Sequence, residues 1–96
     1  MKGDLLVVGT GGTSREIAEA VEDINRVSET WNLLGFLDDN LSLGGQLVHG
    51  YPVIGTTSTI HKFPKAYVVI GVANDQNRFI RKQIAERLKI ERRRFL

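Results

Sequence analysis

The sequence lacks cysteine and has only two prolines, one methionine and one tryptophan among its 96 residues. Without cysteine, disulfide bonds, thiolate metal ligands and thiol catalysis are all excluded. No apolar stretch approaches the roughly 20 residues that a membrane-spanning helix needs. Met1-Lys2-Gly3-Asp4 leads directly into a predicted strand and does not resemble a signal peptide. We therefore expect a single cytoplasmic domain, covering residues 1–96, with no membrane partner.

Positive charge is concentrated near the end of the chain, although the net charge is only +2. Arg87, Lys89 and the run Arg92–Arg94 supply much of it. Proteins that bind single-stranded nucleic acid combine such basic groups with aromatic residues, and the body of this chain has no interleaved pattern of that kind. We interpret the run as a solvated chain end and expect no nucleic-acid partner.

The most informative stretch, residues 4–25, combines an apolar run, a glycine-rich turn and an amphipathic pattern. Residues 5–8 are continuously apolar, which is typical of a parallel strand covered on both faces. Gly9-Thr10-Gly11-Gly12-Thr13-Ser14 follows directly, and apolar residues then recur at helical spacing. The sequence predicts a strand, a tight turn and a helix in this order.

A turn of this kind favours anion binding. Glycines let the backbone approach a phosphate, and the new helix directs unpaired N–H groups at it. Compared with the dinucleotide fingerprint G-x-G-x-x-G, the chain has Gly9 and Gly11 but Ser14 in place of the third glycine. Ser14 is also a natural N-cap, so the alternative is a structural turn that merely starts the helix.

Two further strands are predicted, at residues 32–37 and 66–72. Gly35 inside the first of them indicates a buried strand whose backbone another segment approaches closely. Between these strands, residues 41–50 predict a loop, residues 51–55 a short extended segment, and residues 56–62 one or two helical turns capped by a hydroxyl. After the last strand, an apolar stripe of Phe79, Ile80, Ile84 and Leu88 predicts a second helix.

Together these elements predict an α/β domain with a Rossmann-like, three-layer arrangement and an open parallel sheet whose first strand lies in the middle. Ligands of such sheets bind at the carboxyl edge, where the strand ends meet. There the second strand ends in Asp38 and Asp39, whose carboxylates can accept hydrogen bonds from a ribose hydroxyl or a base. Plain turn chemistry is the alternative explanation for these two residues.

The third strand ends near Gly71 and is followed by a polar segment that includes Asn74. Arg78 is the cation nearest this edge and can pair with a phosphate as an early-helix residue, with a solvated helix residue as the alternative. His49 and His61 are the only histidines, and no carboxylate or cysteine is spaced with them as a metal set requires. We expect solvated loop histidines and no metal site.

The chain resembles the N-terminal domain of the PglD/NeuD family of bacterial sugar acyltransferases over nearly its whole length. The matching pieces are Gly9-Thr10-Gly11-Gly12, Gly35-Phe36-Leu37-Asp38-Asp39, Gly50-Tyr51-Pro52-Val53-Ile54-Gly55, and Val69-Ile70-Gly71-Val72-Ala73-Asn74-Asp75 with Arg78. Their order and spacing are more specific than any one of them alone.

The resemblance implies that the domain binds a nucleotide-linked sugar, commonly a UDP-amino sugar. The candidate substrate-binding residues are Gly9, Thr10, Gly11, Gly12, Thr13, Asp38, Asp39, Gly71, Asn74 and Arg78. The resemblance also implies a following left-handed β-helix of hexapeptide repeats, which binds acetyl-CoA, carries the catalytic histidine and performs acyl transfer. Because the sequence stops before any such repeat, we expect a fragment or a separately encoded domain. We expect no cofactor and no catalytic residue in this chain, and neither of its histidines should take the catalytic role.

This chain departs from the family at Thr13 and Ser14, where the family usually has a bulky residue, often histidine, and then a small one. Phe95 and Leu96 are expected to begin the strand that leads into the β-helix domain. One alternative function is an NAD(P)-binding domain, favoured by the glycine turn and the acid at the strand end but opposed by Ser14 and by the short chain. The other is a regulatory or interaction domain whose ligand site has decayed.

Overall fold

The computed structural model describes residues 2–74 and 76–96; Met1 and Asp75, both named above, lie outside the described residues. The strands are β1 (Gly3–Val8), β2 (Trp31–Leu37), β3 (Leu47–Val48), β4 (Tyr51–Gly55) and β5 (Tyr67–Ile70). The α-helices are α1 (Gly12–Val27) and α2 (Ile80–Leu88), and Leu41–Leu43, Thr57–Lys62 and Arg92–Arg94 form short 3-10 helices. No helix in these described ranges is long and apolar enough to cross a membrane.

The strands form a five-stranded sheet in the order β3-β4-β2-β1-β5. β1 pairs in parallel with both β2 and β5, which confirms the prediction of a parallel sheet with the first strand between the other two. Residues 51–55, predicted only as extended, form β4, which pairs in parallel with β2. The sheet is thus larger than the three strands that the sequence pattern predicts.

The prediction of a loop over residues 41–50 is wrong in part, because Leu47–Val48 forms β3 and pairs antiparallel with β4. His49 and Gly50 connect the two strands, and both have positive φ, 50° and 83°. Two successive residues with positive φ are typical of the tight turns that join antiparallel strands. The chain therefore reverses at once and adds a short strand at the sheet edge.

Helices cover both faces of the sheet and create two apolar cores. Leu5 and Val7 of β1 contribute to the core beneath α1, whereas Leu6 and Val8 contribute to the core beneath α2 and the 3-10 helix Thr57–Lys62. This alternation follows from the two-residue period of a strand. It explains why residues 5–8 are apolar without interruption, and it confirms the three-layer arrangement.

Gly35 confirms the expected close approach of another segment to β2. It is buried with φ +150°, and any side chain there would overlap the Pro52 carbonyl and the Ile54 side chain of β4. Phe79, in contrast, is not part of an apolar stripe, since it precedes α2 and is 54% exposed. The Asn77 side chain accepts a hydrogen bond from the Phe79 N–H, forming a local turn that delays the start of the helix.

The interpretation of Arg92–Arg94 as a solvated chain end is wrong for its last residue. Arg94 is buried, and its Nε and Nη2 atoms each lie 2.8 Å from a carbonyl oxygen, those of Ala66 and Phe63. Phe95 then forms a parallel bridge with Val68. The chain end therefore lies beside β5 through one isolated bridge, and the buried guanidinium fastens it there. That Phe95 and Leu96 lead into a further domain stays a prediction.

Candidate functional site

The glycine turn, the end of β2 and the end of β5 meet at the carboxyl edge of the sheet and enclose a cleft of about 240 Å³. We call it the glycine-turn cleft. Its lining residues are Gly9, Thr10, Gly11, Gly12, Thr13, Asp38, Gly71, Val72 and Ala73. Seven of these nine are among the candidate residues of the sequence analysis. The sequence pattern therefore located this part of the edge.

The glycines of the turn have different structural roles. Gly9 has φ +99°, its N–H donates to the Leu37 carbonyl at 2.8 Å, and an added Cβ would lie 2.8 Å from Val72 Cγ2. Gly11 and Gly12 are exposed, with no atom within 4 Å of an added Cβ. Gly9 is thus required by the tight turn, whereas the other two leave space in front of α1.

The N-terminus of α1 faces this space without a side-chain cap. Gly11 is the N-cap residue with φ −79°, no side chain of residues 2–74 and 76–96 bonds to the N–H groups of the first turn, and that turn contains no acidic residue. The first N–H groups of a helix have no partner within the helix and attract anions, and the helix dipole adds to the attraction. The end of the helix that faces the cleft therefore favours a negatively charged ligand.

Ser14 is not the N-cap of α1, so the predicted capping role of this residue is wrong. The residue lies within α1, is fully buried, and donates a hydrogen bond of 3.0 Å from Oγ to the Gly71 carbonyl. The helix begins earlier, at Gly12, and Gly11 occupies the N-cap position without a capping side chain. The serine instead fastens α1 to the end of β5.

Asp38 lies in the cleft beside the glycine turn. Its Oδ2 accepts a hydrogen bond of 2.9 Å from the Thr10 hydroxyl, and its Oδ1 accepts one of 2.9 Å from the Asn40 N–H. The contact with Asn40 is the turn chemistry predicted as the alternative, but the half-buried carboxylate also lines the cleft. Turn chemistry is therefore confirmed for Asp38, and its contact with a ligand stays a prediction that its place in the cleft allows.

Asp39 is directed to a neighbouring cavity of about 180 Å³, on the α2 side of the sheet edge. Its Oδ1 accepts hydrogen bonds of 2.9 Å from both the N–H and the hydroxyl of Thr57, and its Oδ2 lies 3.6 Å from the Arg87 guanidinium. The bond from the Thr57 N–H lowers the pKa of Asp39, and the Thr57 hydroxyl and Arg87 add to this effect against a smaller influence of burial. The carboxylate is thus already engaged.

The prediction that a hydroxyl caps residues 56–62 is wrong, because a carboxylate caps this helix instead. The Thr56 side chain makes no capping bond to the 3-10 helix Thr57–Lys62. Asp39 takes that position because the sheet brings the end of β2 beside the end of β4, where the Asp38 N–H donates to the Gly55 carbonyl at 3.0 Å. A residue 18 positions away in sequence thus caps the helix.

Asn74 and Arg78 lie beside the cleft in a third cavity, of about 170 Å³, which shares Ala73 with it. Arg78 precedes α2, so its predicted place within the helix is wrong, and its guanidinium carbon lies 5.0 Å from the centre of the Phe79 ring. Arg81 lines the same cavity and was not among the candidates. Its position three residues after Arg78, in the first turn of α2, was the available sequence signal.

The two histidines lie away from this edge. His49 is in the turn between β3 and β4, where its Nε2 lies 2.6 Å from Glu22 Oε1, so it has a carboxylate partner that the expectation of a solvated residue did not include. The pKa of the neighbouring Tyr51 is raised by partial burial and by the negative charge of Glu22. His61 is exposed. No group of three or more potential metal ligands occurs within residues 2–74 and 76–96.

Comparison with known proteins supports a family assignment. The model of the PglD N-terminal domain family matches residues 4–88. Among solved structures, the acetyltransferase domain of PglB from Neisseria gonorrhoeae FA1090, in complex with acetyl coenzyme A, is 28% identical with a TM-score of 0.68. The match covers 95% of this chain and 42% of that chain, so this chain spans less than half the length of its relative. No curated protein matches.

Two more distant structures show the fold alone. The Rex-family repressor RSP is 19% identical with a TM-score of 0.65, over 93% of this chain and 42% of that chain. UDP-D-quinovosamine 4-dehydrogenase from Vibrio fischeri is 18% identical with a TM-score of 0.57, over 95% of this chain and 75% of that chain. These likenesses agree with the predicted Rossmann-like α/β class. Since the family model covers nearly all of the sheet and both α-helices, the chain belongs to the PglD N-terminal domain family.

Proposed function

We propose that the chain binds a nucleotide-linked sugar, specifically a UDP-sugar, as the substrate-binding domain of a sugar O- or N-acetyltransferase. The observation that carries this proposal is the arrangement of two complementary groups in one cleft. The uncapped N-terminus of α1 attracts phosphate, and the Asp38 carboxylate accepts hydrogen bonds from hydroxyl or N–H groups. A nucleoside diphosphate presents both kinds of partner side by side.

The proposed contacts follow from the geometry of the cleft. The N–H groups of Gly11, Gly12 and Thr13 bind a phosphate of the diphosphate, because no side chain of the described residues occupies them and the exposed glycines leave room for it. Asp38, held by Thr10, accepts hydrogen bonds from the ribose or the base. The sugar extends toward Asn74 and Arg78, since their cavity adjoins the cleft and shares Ala73 with it.

Asp39 has a supporting role in this proposal. Its carboxylate is engaged by Thr57 and lies near Arg87, so it orders the wall of the site rather than contacting the ligand. Because the two aspartates are adjacent in sequence, the same substitution at each position should distinguish a ligand contact from a structural role. Asp38→Asn should weaken ligand binding with little loss of stability, whereas Asp39→Asn should lower stability more than affinity.

Acetyl transfer is assigned to a different part of the parent protein. The related PglB acetyltransferase domain was solved with acetyl coenzyme A, and this chain corresponds to 42% of its length. We propose that acetyl-CoA binds to a C-terminal β-helix domain, which is the partner of this chain, and that this chain alone transfers no acyl group. An NAD(P)-binding function is second, because the Ser14 hydroxyl fills the space that the third glycine of the dinucleotide fingerprint leaves open.

Thermal unfolding with UDP-N-acetylglucosamine, NADH and coenzyme A tests the proposal. A ligand at 100 times its dissociation constant should stabilise the chain by about 2.7 kcal/mol, which is several degrees in the melting temperature of a domain this small. We expect this shift with the UDP-sugar and a smaller one with NADH. A larger shift with NADH would favour the dinucleotide alternative, and no shift with any nucleotide would favour an interaction domain. Acetylation of a UDP-amino sugar by the isolated chain would contradict the assignment of transfer to another domain.

A further inference from the structure

Three cavities that share lining residues surround the carboxyl end of β5. A cavity of about 470 Å³ at the open edge of β5 is lined by Thr13, which also lines the glycine-turn cleft, and by Arg81. Arg81 in turn lines the cavity that contains Asn74, and that cavity meets the cleft at Ala73. Arg81 therefore lies where two of the cavities adjoin.

The Arg81 side chain is held in place through Nε, and no hydrogen bond or ion pair to residues 2–74 or 76–96 engages its outer nitrogens. Its Nε donates a hydrogen bond of 3.0 Å to the Val72 carbonyl, just beyond the end of β5. Within the described parts of the chain, Arg87 pairs with Asp39 and Arg93 with Glu91, but no ion pair involves Arg81. A guanidinium anchored through Nε can still present both Nη groups to a phosphate.

Local helix stability does not explain an arginine at this position. Arg81 lies in the first turn of α2, where a positive charge opposes the helix dipole and an acidic residue would be favourable. Lys82 follows it, and this first turn contains no acidic residue. The Nε bond to Val72 accounts for the position of the side chain, and a bound anion would remove the repulsion between its charge and the helix dipole.

We propose that Arg81 binds the second phosphate of a diphosphate ligand, the one farther from the nucleoside. The inference rests on the proposed nucleotide-binding function and adds a residue and a subsite to it. The N–H groups of α1 act over about one helical turn and can engage one phosphate closely. The second phosphate then needs its own partner, and the guanidinium fork of Arg81 matches its geometry. Arg81 thus selects diphosphates over monophosphates.

The test measures affinities of the full chain for UMP, UDP and inorganic pyrophosphate by calorimetry. The variants are Arg81→Met, Arg81→Lys and, as the matched control, Lys82→Met, which removes the same charge from the next residue. Arg81→Met should weaken UDP and pyrophosphate binding about tenfold or more and UMP binding less than about twofold. The UDP affinity of Arg81→Lys should lie between those of the unsubstituted chain and Arg81→Met, because lysine keeps the charge but lacks the guanidinium fork. Lys82→Met should stay within about twofold for every ligand.

Unchanged UMP affinity also shows that the site of Arg81→Met is folded. Equal weakening of UMP and UDP, an equal effect of Lys82→Met, or unaltered UDP affinity in Arg81→Met would each overturn the assignment of Arg81. Failure of the proposed function has a different signature, since the unsubstituted chain would then bind neither UDP nor UDP-N-acetylglucosamine. In that case, loss of pyrophosphate binding in Arg81→Met would still support the anion site, and the absence of pyrophosphate binding would refute it.

Discussion

The Ser14 hydroxyl donates a hydrogen bond of 3.0 Å to the Gly71 carbonyl, and the two residues are 57 positions apart in sequence. Both are buried, and a Cβ added at Gly71 would overlap Ser14 Oγ. In the dinucleotide fingerprint, the third glycine permits close packing between helix and strand. Here a serine at the same place packs against the glycine that follows β5 and adds a hydrogen bond, so the two positions depend on each other.

A double-mutant cycle between these positions should show this dependence. Gly71→Ala should lower the free energy of unfolding by about 1–3 kcal/mol through overpacking, and Ser14→Gly by a similar amount through loss of the buried hydrogen bond. The double variant should lose less than the sum, because removal of the hydroxyl makes room for the new methyl group. Urea unfolding measures all three values. Strict additivity would show that the contact is incidental.

The glycine turn and Asp38 could be predicted because each depends on local sequence: an apolar run followed by glycines, and an acid at a strand end. The different roles of Asp38 and Asp39 could not, since both precede the same turn and only the distant Thr57 engages one of them. The burial of Arg94 could not be predicted either. Three consecutive arginines look alike in sequence, and only the carbonyls of Phe63 and Ala66, brought close by the fold, determine which one is buried.

Asp39 should make the stability of the domain depend on pH. Its pKa is lowered in the folded chain, so its contribution is fully present above the ordinary aspartate pKa, about 3.9, and is lost as the pH falls below it. Asp39→Asn should cost up to about 1 kcal/mol at pH 7, because the amide keeps the accepting oxygen but loses the charge that strengthens its bonds to Thr57 and attracts Arg87. The difference between the two proteins should shrink toward pH 3, measured by thermal unfolding. A difference that stays constant with pH would show that the carboxylate charge is not involved.

Arg94 should contribute more to stability than its neighbour Arg93, although the two residues are identical in type. Arg94→Met removes two hydrogen bonds from a charged group and leaves two carbonyls without that donor, so we expect a loss of about 2–4 kcal/mol. Arg93 is exposed, and Arg93→Met should change stability by less than about 0.5 kcal/mol. Hydrogen exchange of the Leu96 amide, which donates to the Val68 carbonyl, should speed up only in the Arg94 variant. Equal effects of the two substitutions would contradict the anchoring role.

The glycine turn allows folding and binding to be separated within three residues. Gly9→Ala should destabilise the domain by roughly 1–3 kcal/mol, because φ is +99° there and the new Cβ would press on Val72.

Gly11→Val and Gly12→Val should leave the melting temperature within a few degrees, since the space around both positions is open and φ at Gly11 is −79°. A β-branched side chain there would nevertheless fill the region in front of the α1 N–H groups. We therefore expect nucleotide affinity, measured by calorimetry, to fall at least about tenfold in both valine variants, as for the loss of charge-assisted hydrogen bonds. Full affinity in both variants would mean that the turn shapes the fold without contacting the ligand.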